Sequence, residues 1–294
     1  MLHGHTTLPE HLFLRGVQQR ARTAELTDST PAERGADADD ASQSRPGDLP
    51  NNALLRGLAP VELEALLPQL ESIVLASSQV LSEPGAPATH LYFPSTAVVA
   101  LRLEPADGGR GVDVVTIGSE GMLSVSRLLG GELGTWTAVT RVAGSAARIA
   151  VGELERVLPR APMLRARLHR YAASLMGQMA QTALCVQAHT IEQRLAALIL
   201  LTADRTAGAP MVVTHEQLGL MLGIRRPGVT QVAATLRSRG LVSYRRGRIV
   251  LDDRSGLQAT ACPCYGIVRA WMERTTGAES EGFLIEAPAS RPLA

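Results

Sequence analysis

The chain has 294 residues, enough for about two domains, and its 45% hydrophobic content excludes a wholly disordered or fibrous protein. Its formal net charge of +1 excludes a uniformly basic coat, so any polyanion-binding surface has to come from local segregation of charge. Three cysteines make no disulfide framework, and the longest purely apolar stretch, Leu195 to Leu201, is far short of the ~20 residues that span a bilayer; the expectation is a soluble, cytoplasmic protein with no membrane partner.

Residues 1–48 include a run from Thr27 to Asp48 rich in Ala, Asp, Ser, Thr, Pro and Gly, and this composition predicts a disordered arm. His3, His5 and His11 lie on that arm without further ligands and are read as inert rather than metal-binding. Residues 49–158 open with a short helical pattern carrying Val61, Leu63, Leu66 and Leu67. Brief strands follow at Ile73 to Leu75, Val80-Leu81, Leu91 to Phe93, Ala97 to Leu103, Val112 to Ile117, Thr137 to Val142 and Ala146 to Val151. Their spacing predicts a β barrel or roll, with Asp107-Gly108-Gly109 as a hairpin turn.

After Pro159 and Pro162 the apolar period becomes helical, and residues 159–188 read as one long helix. Leu168, Ala172, Leu175, Met179, Thr182 and Val186 step by four and three along it. That stripe either packs on its own β domain or pairs two copies of the chain; the sharper reading makes it a homodimer seam. A further helix from about Thr190, carrying Ile191, Leu195, Leu198, Ile199 and Leu201, leads into a C-terminal domain over 189–276. A last helical piece from Gly256 to Glu273, interrupted at Pro263, closes that domain, and 277–294 read as a flexible tail.

The most informative stretch is Met211 to Leu251. Thr214 can cap a helix while Gln217 reaches back to it, and Leu218 and Leu222 share one face. Gly223 permits a reversal, and a second helix runs from about Arg226 to Arg239 with Pro227 in its harmless first turn. Val229, Val232, Ala233 and Leu236 must face inward, leaving Arg226, Pro227, Thr230, Gln231 and Ala234 outward. Leu241 to Tyr244 and Ile249 to Leu251 then form a wing tipped by Arg245-Arg246-Gly247-Arg248. Between Glu216 and Asp252 stand seven arginines and no carboxylate, as a phosphate-binding face requires and an ordinary solvated face does not.

The order of parts and the residues Thr214 to Arg226 resemble the bacterial transcription regulators typified by the cyclic AMP receptor protein and the fumarate-nitrate reduction regulator, over about residues 50 to 275. The resemblance implies an α+β fold: an N-terminal cyclic-nucleotide-binding-like β-roll, a long dimerisation helix and a C-terminal winged helix-turn-helix. It implies that Arg226 contacts a guanine, whereas Pro227 and Gln231 stand where that family usually has Glu and Arg. Gln231 would favour adenine, and Arg225, Arg245, Arg246 and Arg248 would hold phosphates, with Thr214 and Thr230 on the same surface.

Gly118-Ser119-Glu120-Gly121 and Gly131-Glu132 are candidate remnants of the family's ribose-binding Gly-Glu, but Thr135-Trp136-Thr137-Ala138 stand where its phosphate-binding Arg would be. Tight cyclic nucleotide binding is therefore not expected, while another effector, or none, stays open. No thiol precedes Cys185, against the N-terminal thiolates of the family's iron-sulfur type, and Cys262-Pro263-Cys264 has no third or fourth ligand near it in sequence. The expectation is no metal, no cofactor and no catalytic residue. The partners expected are double-stranded DNA and a second copy of the chain, with RNA polymerase and an unidentified small-molecule effector as options.

Overall fold

The computed structural model describes residues 50–275, apart from 132, 207–208, 210 and 246–247. The N-terminal arm, the C-terminal tail, Glu132 and Arg246 therefore lie outside the described residues.

Helix α1 (Pro60–Leu66) is followed by seven strands. These are β1 (Glu71–Leu75), β2 (Val80–Ser82), β3 (His90–Pro94), β4 (Val98–Leu103), β5 (Val112–Ile117), β6 (Thr137–Val142) and β7 (Gly144–Ala150). They form two antiparallel sheets, ordered β1-β7-β3 and β2-β6-β4-β5. Alternating residues of both sheets enter one core, with Leu75, Leu91, Phe93, Ala147 and Ile149 from the first and Val99, Leu101, Val115, Ile117 and Ala138 from the second. Asn52 stitches the chain leading into α1 to this roll, its amide donating to the carbonyls of Pro94 at 2.9 Å and Gly121 at 2.8 Å.

Helix α2 (Val151–Val157) leads to α3 (Pro162–Ala188), whose 27 residues run ~40 Å. The stripe read in sequence as a homodimer seam is divided in the fold. Leu168, Ala172 and Leu175 are buried in the single chain, and Leu168 and Leu175 join the core of the β-roll. Met179 and Thr182 are half-buried, and Val186 is exposed. The first half of that stripe is thus spent on the intrachain core, and the face left open carries Ala166, Ala173, Met176, Ala180, Ala183 and Leu184 instead.

Helix α4 (Ile191–Arg205) starts with a complete capping box between Thr190 and Gln193 and buries Leu195 to Leu200. Then come β8 (Met211–Val212), α5 (His215–Leu222), α6 (Arg226–Ser238), β9 (Val242–Arg245), β10 (Arg248–Leu251), α7 (Arg254–Thr260) and α8 (Cys264–Thr275). Strand β8, which the sequence reading leaves unassigned, pairs with β10 and makes the wing a three-stranded sheet of order β8-β10-β9.

The two domains are not beads on a string. Val98 and Val142 of the roll belong to the same apolar cluster as Leu218, Leu222 and Val229 of the C-terminal domain. Arg205, at the end of α4 and almost fully buried, donates to Glu120 Oε1 at 2.8 Å, Thr116 Oγ1 at 2.6 Å and Gln178 Oε1 at 2.9 Å. One guanidinium thereby joins the roll, the long helix and the C-terminal domain. Glu120, a candidate ribose-binding remnant in the sequence, is committed to this interdomain pair.

Candidate DNA-binding surface

Helix α5 forms where expected because Thr214 accepts from the Gln217 amide at 3.1 Å while the Gln217 side chain accepts from the Thr214 amide at 2.8 Å. It ends at Gly223, whose φ of 68° lies in the left-handed region. The turn is tight: a Cβ on Gly219 would lie 2.8 Å from the Ile224 carbonyl oxygen, which favours glycine at that point of helix contact.

Helix α6 starts at Arg226, with Arg225 extended before it and Pro227 within the first turn. Val229, Ala233 and Leu236 are buried, whereas Arg225, Arg226, Pro227, Thr230, Gln231 and Ala234 are exposed. The outward face read from periodicity is the outward face observed. Thr230 donates back to the Arg226 carbonyl at 3.1 Å and lies 3.0 Å from His215 Nδ1, so its hydroxyl is held at the junction of α5 and α6. Tyr244 of the wing meets the His215 ring edge-on, 5.1 Å between centroids. His215, which sequence reasoning passed over, therefore ties both helices to the wing. Burial and the neighbouring Arg226 charge hold its pKa below the usual imidazole value, so the ring is neutral near pH 7.

Of the seven arginines between Glu216 and Asp252, Arg239 is engaged elsewhere, donating to Glu192 at 2.7 Å and Thr260 at 3.1 Å. Arg225, Arg226 and Arg248 are exposed, with Arg248 on the wing strand β10; the backbone of Arg245 ends β9. Glu216, in the first turn of α5, is paired with Arg110 of the roll at 2.9 Å. The surface therefore presents exposed cations, hydrogen-bonding side chains on a projecting helix and a flanking hairpin, the combination that engages phosphates and base edges together.

Residues 193–260 match the family model of the Crp-like helix-turn-helix domain, which covers α4 through α7. Among solved structures, TTHB099, a CRP-family transcriptional regulator of Thermus thermophilus, superposes with a TM-score of 0.54 at 22% identity, over 64% of this chain and 96% of its own. FixK2 from Bradyrhizobium japonicum gives 0.53 at 16%, over 66% and 98%. The regulator CLP of Xanthomonas campestris gives 0.51 at 18%, over 65% and 98%. The chain is Crp/Fnr-type in fold and carries a Crp-like helix-turn-helix domain. No curated protein matches it in sequence.

Within this Crp/Fnr-type roll, the interior near Trp136 is largely filled. A void of only about 20 Å³ remains there, lined by Leu101, Ile117, Met122, Trp136, Ala138 and Leu175 among others. Among the described residues no helix is long and apolar enough to cross a membrane. The residues able to hold a metal lie elsewhere, at the junction of α3 with α8: Cys185, His189, Cys262 and Cys264 bring their ligand atoms within 4.8 Å of one another. The tight Cys262-Cys264 pair that looked isolated in sequence thus has a third and a fourth ligand-type neighbour in the fold. The signal available in sequence was the four-residue spacing of Cys185 and His189 near a helix end, which puts both on one face.

Proposed function

We propose that this chain is a homodimeric, sequence-specific DNA-binding transcription regulator. The observation that carries the reading is the exposed, carboxylate-free face of α6, which carries Arg226, Thr230 and Gln231, together with the exposed Arg248 of the wing. In this reading α6 enters the major groove, Arg226 donates in bidentate fashion to guanine, Gln231 reads adenine, and Arg225, Arg245, Arg246 and Arg248 hold phosphates. Thr214, at the start of α5, adds a contact at the edge of the same surface.

Two copies pair through the open stripe of α3, Ala166, Ala173, Met176, Ala180, Ala183 and Leu184. The three- and four-residue steps from Ala173 to Ala183 and the small side chains suit close helix pairing. The dimer presents two reading helices ~34 Å apart to a pseudo-palindromic site. The β-roll acts as the regulatory domain. It is not a tight cyclic nucleotide binder, a reading supported by its interior void of about 20 Å³ and by the engagement of Glu120 with Arg205. The assignment gives the chain no catalytic role.

Selecting bound fragments from random duplex DNA with the purified full chain tests this directly. The expected result is an enriched site with two-fold symmetry and half-sites about one helical turn apart. Failure to enrich any sequence at moderate salt, from a chain that sediments as a monomer, overturns the proposal.

A further inference from the structure

The junction between the long helix and the C-terminal helices holds four groups that the DNA-binding reading does not use. Cys185 lies in the last turn of α3, and His189 follows the helix in extended backbone, its amide donating to the Cys185 carbonyl at 3.2 Å. Cys262 lies in the turn between α7 and α8, and Cys264 is the first residue of α8. Pro263 separates the two cysteines, and both are buried, whereas Cys185 and His189 are half-buried. Two segments more than seventy residues apart therefore bring four metal-ligating side chains to one point.

The spacing of those atoms selects among explanations. A disulfide would require sulfurs at ~2.05 Å, whereas Cys185 Sγ and Cys262 Sγ are 3.6 Å apart. Cys264 Sγ and His189 Nδ1 are 3.5 Å apart. A tetrahedral zinc ion with Zn–S near ~2.3 Å and Zn–N near ~2.0 Å gives S···S edges of ~3.8 Å and S···N edges of ~3.5 Å. An iron-sulfur cluster divides its thiolates among several irons and sets them farther apart than four atoms all within 4.8 Å of one another.

We propose that Cys185, His189, Cys262 and Cys264 bind one zinc ion per chain in a closed Cys3His site that fastens α8 and the α7–α8 turn to the end of α3. All four positions of a tetrahedron are filled by protein, which is the arrangement of a structural rather than a catalytic zinc. Gln181, one turn before Cys185 on α3, donates its amide to Cys264 Sγ at 3.1 Å. Such a hydrogen bond orients a zinc thiolate and moderates its charge. A cavity of about 110 Å³ borders Cys185 and Cys264 and gives the ion a way in. Trp271 of α8, which packs over Gly177 of α3, lies along the contact that the ion would reinforce.

This site is independent of what the C-terminal domain binds. Elemental analysis of the full-length chain, purified without chelator from zinc-supplemented medium, should find one zinc per chain, and Cys262→Ser should lower this to below about a tenth of an equivalent. A strong chelator should lower the melting temperature of the unaltered protein and leave that of Cys262→Ser unchanged, because an ion bound only to the native state stabilises it. His189→Cys, which keeps four soft ligands, should retain the metal. Should the cysteine variant fail to fold, cobalt(II) added to the metal-stripped unaltered chain provides the same test. It should give the sulfur-to-metal charge-transfer and intense visible bands of a tetrahedral thiolate site. A reduced, folded chain that holds no zinc and shows no such bands overturns the proposal, as does iron with cluster absorbance in place of zinc.

Discussion

Arg226 is exposed at the first turn of α6, with Thr230 bonded to its carbonyl, and in the proposed function its guanidinium reaches a base. Arg226→Ala should cost about 1–3 kcal/mol on the preferred site and relax base preference at one position of each half-site. Arg225→Gln, one residue earlier, should weaken all duplexes about equally and flatten the dependence of log affinity on log salt by about one phosphate contact. Competition gel shifts over a salt series separate the two outcomes. His215 carries a different consequence. Its folded pKa lies below the unfolded value of about 6.5, so the unfolded chain binds the extra proton first. The stability tied to its neutral form is present above that value and is lost as pH falls below it. His215→Gln should flatten the slope of unfolding midpoint against pH below about 6.5 relative to the unaltered chain, as denaturant titrations at several pH values would show.

Among the elements, α5 and α6 were legible in sequence almost to the residue because local chemistry decides them: a capping box at Thr214, a left-handed glycine at Gly223 and a period of about 3.6 residues that sorts Val229, Ala233 and Leu236 from Arg226 and Gln231. The seven strands of the roll were legible from spacing. Helix α3 was legible as a helix but not in its loyalties. Leu168, Ala172 and Leu175 show the same step that a coiled-coil seam would, and only the fold reveals that the intrachain core has already claimed them. Periodicity identifies an apolar face without naming what covers it. The two faces of α3 therefore predict opposite phenotypes. Leu168→Ala should lower unfolding stability by about 2–5 kcal/mol, while Met176→Glu, at a side chain 65% exposed, should leave chain stability nearly unchanged and shift sedimentation toward the monomer. The partners of Cys262 and Cys264 were illegible for a related reason: Cys185 and His189 stand more than seventy positions away, and no local signal pairs them.

For the whole molecule, the decisive contact is the buried guanidinium of Arg205, which Glu120, Thr116 and Gln178 receive together. Removing one charge from a buried pair leaves the other uncompensated, so Glu120→Gln should destabilise the protein by roughly 3–5 kcal/mol, and the double change Glu120→Gln with Arg205→Met should recover much of that loss. Calorimetric unfolding of the single and double variants is the check.

The docking of α5 on the roll reaches further. Gln217, while capping its own helix, also donates to Ser77 at 2.9 Å and to the Arg141 carbonyl at 3.3 Å, and Val98 and Val142 share their apolar cluster with the helix-turn-helix. The reading head thus has a seat built from the opposite domain, and leaving that seat exposes apolar surface and strands polar groups. Genetic selections for gain or loss of promoter occupancy should accordingly return substitutions at Ser77, Val98, Arg110 and Val142, positions on the roll rather than on the helix-turn-helix that hold the rest angle of the head.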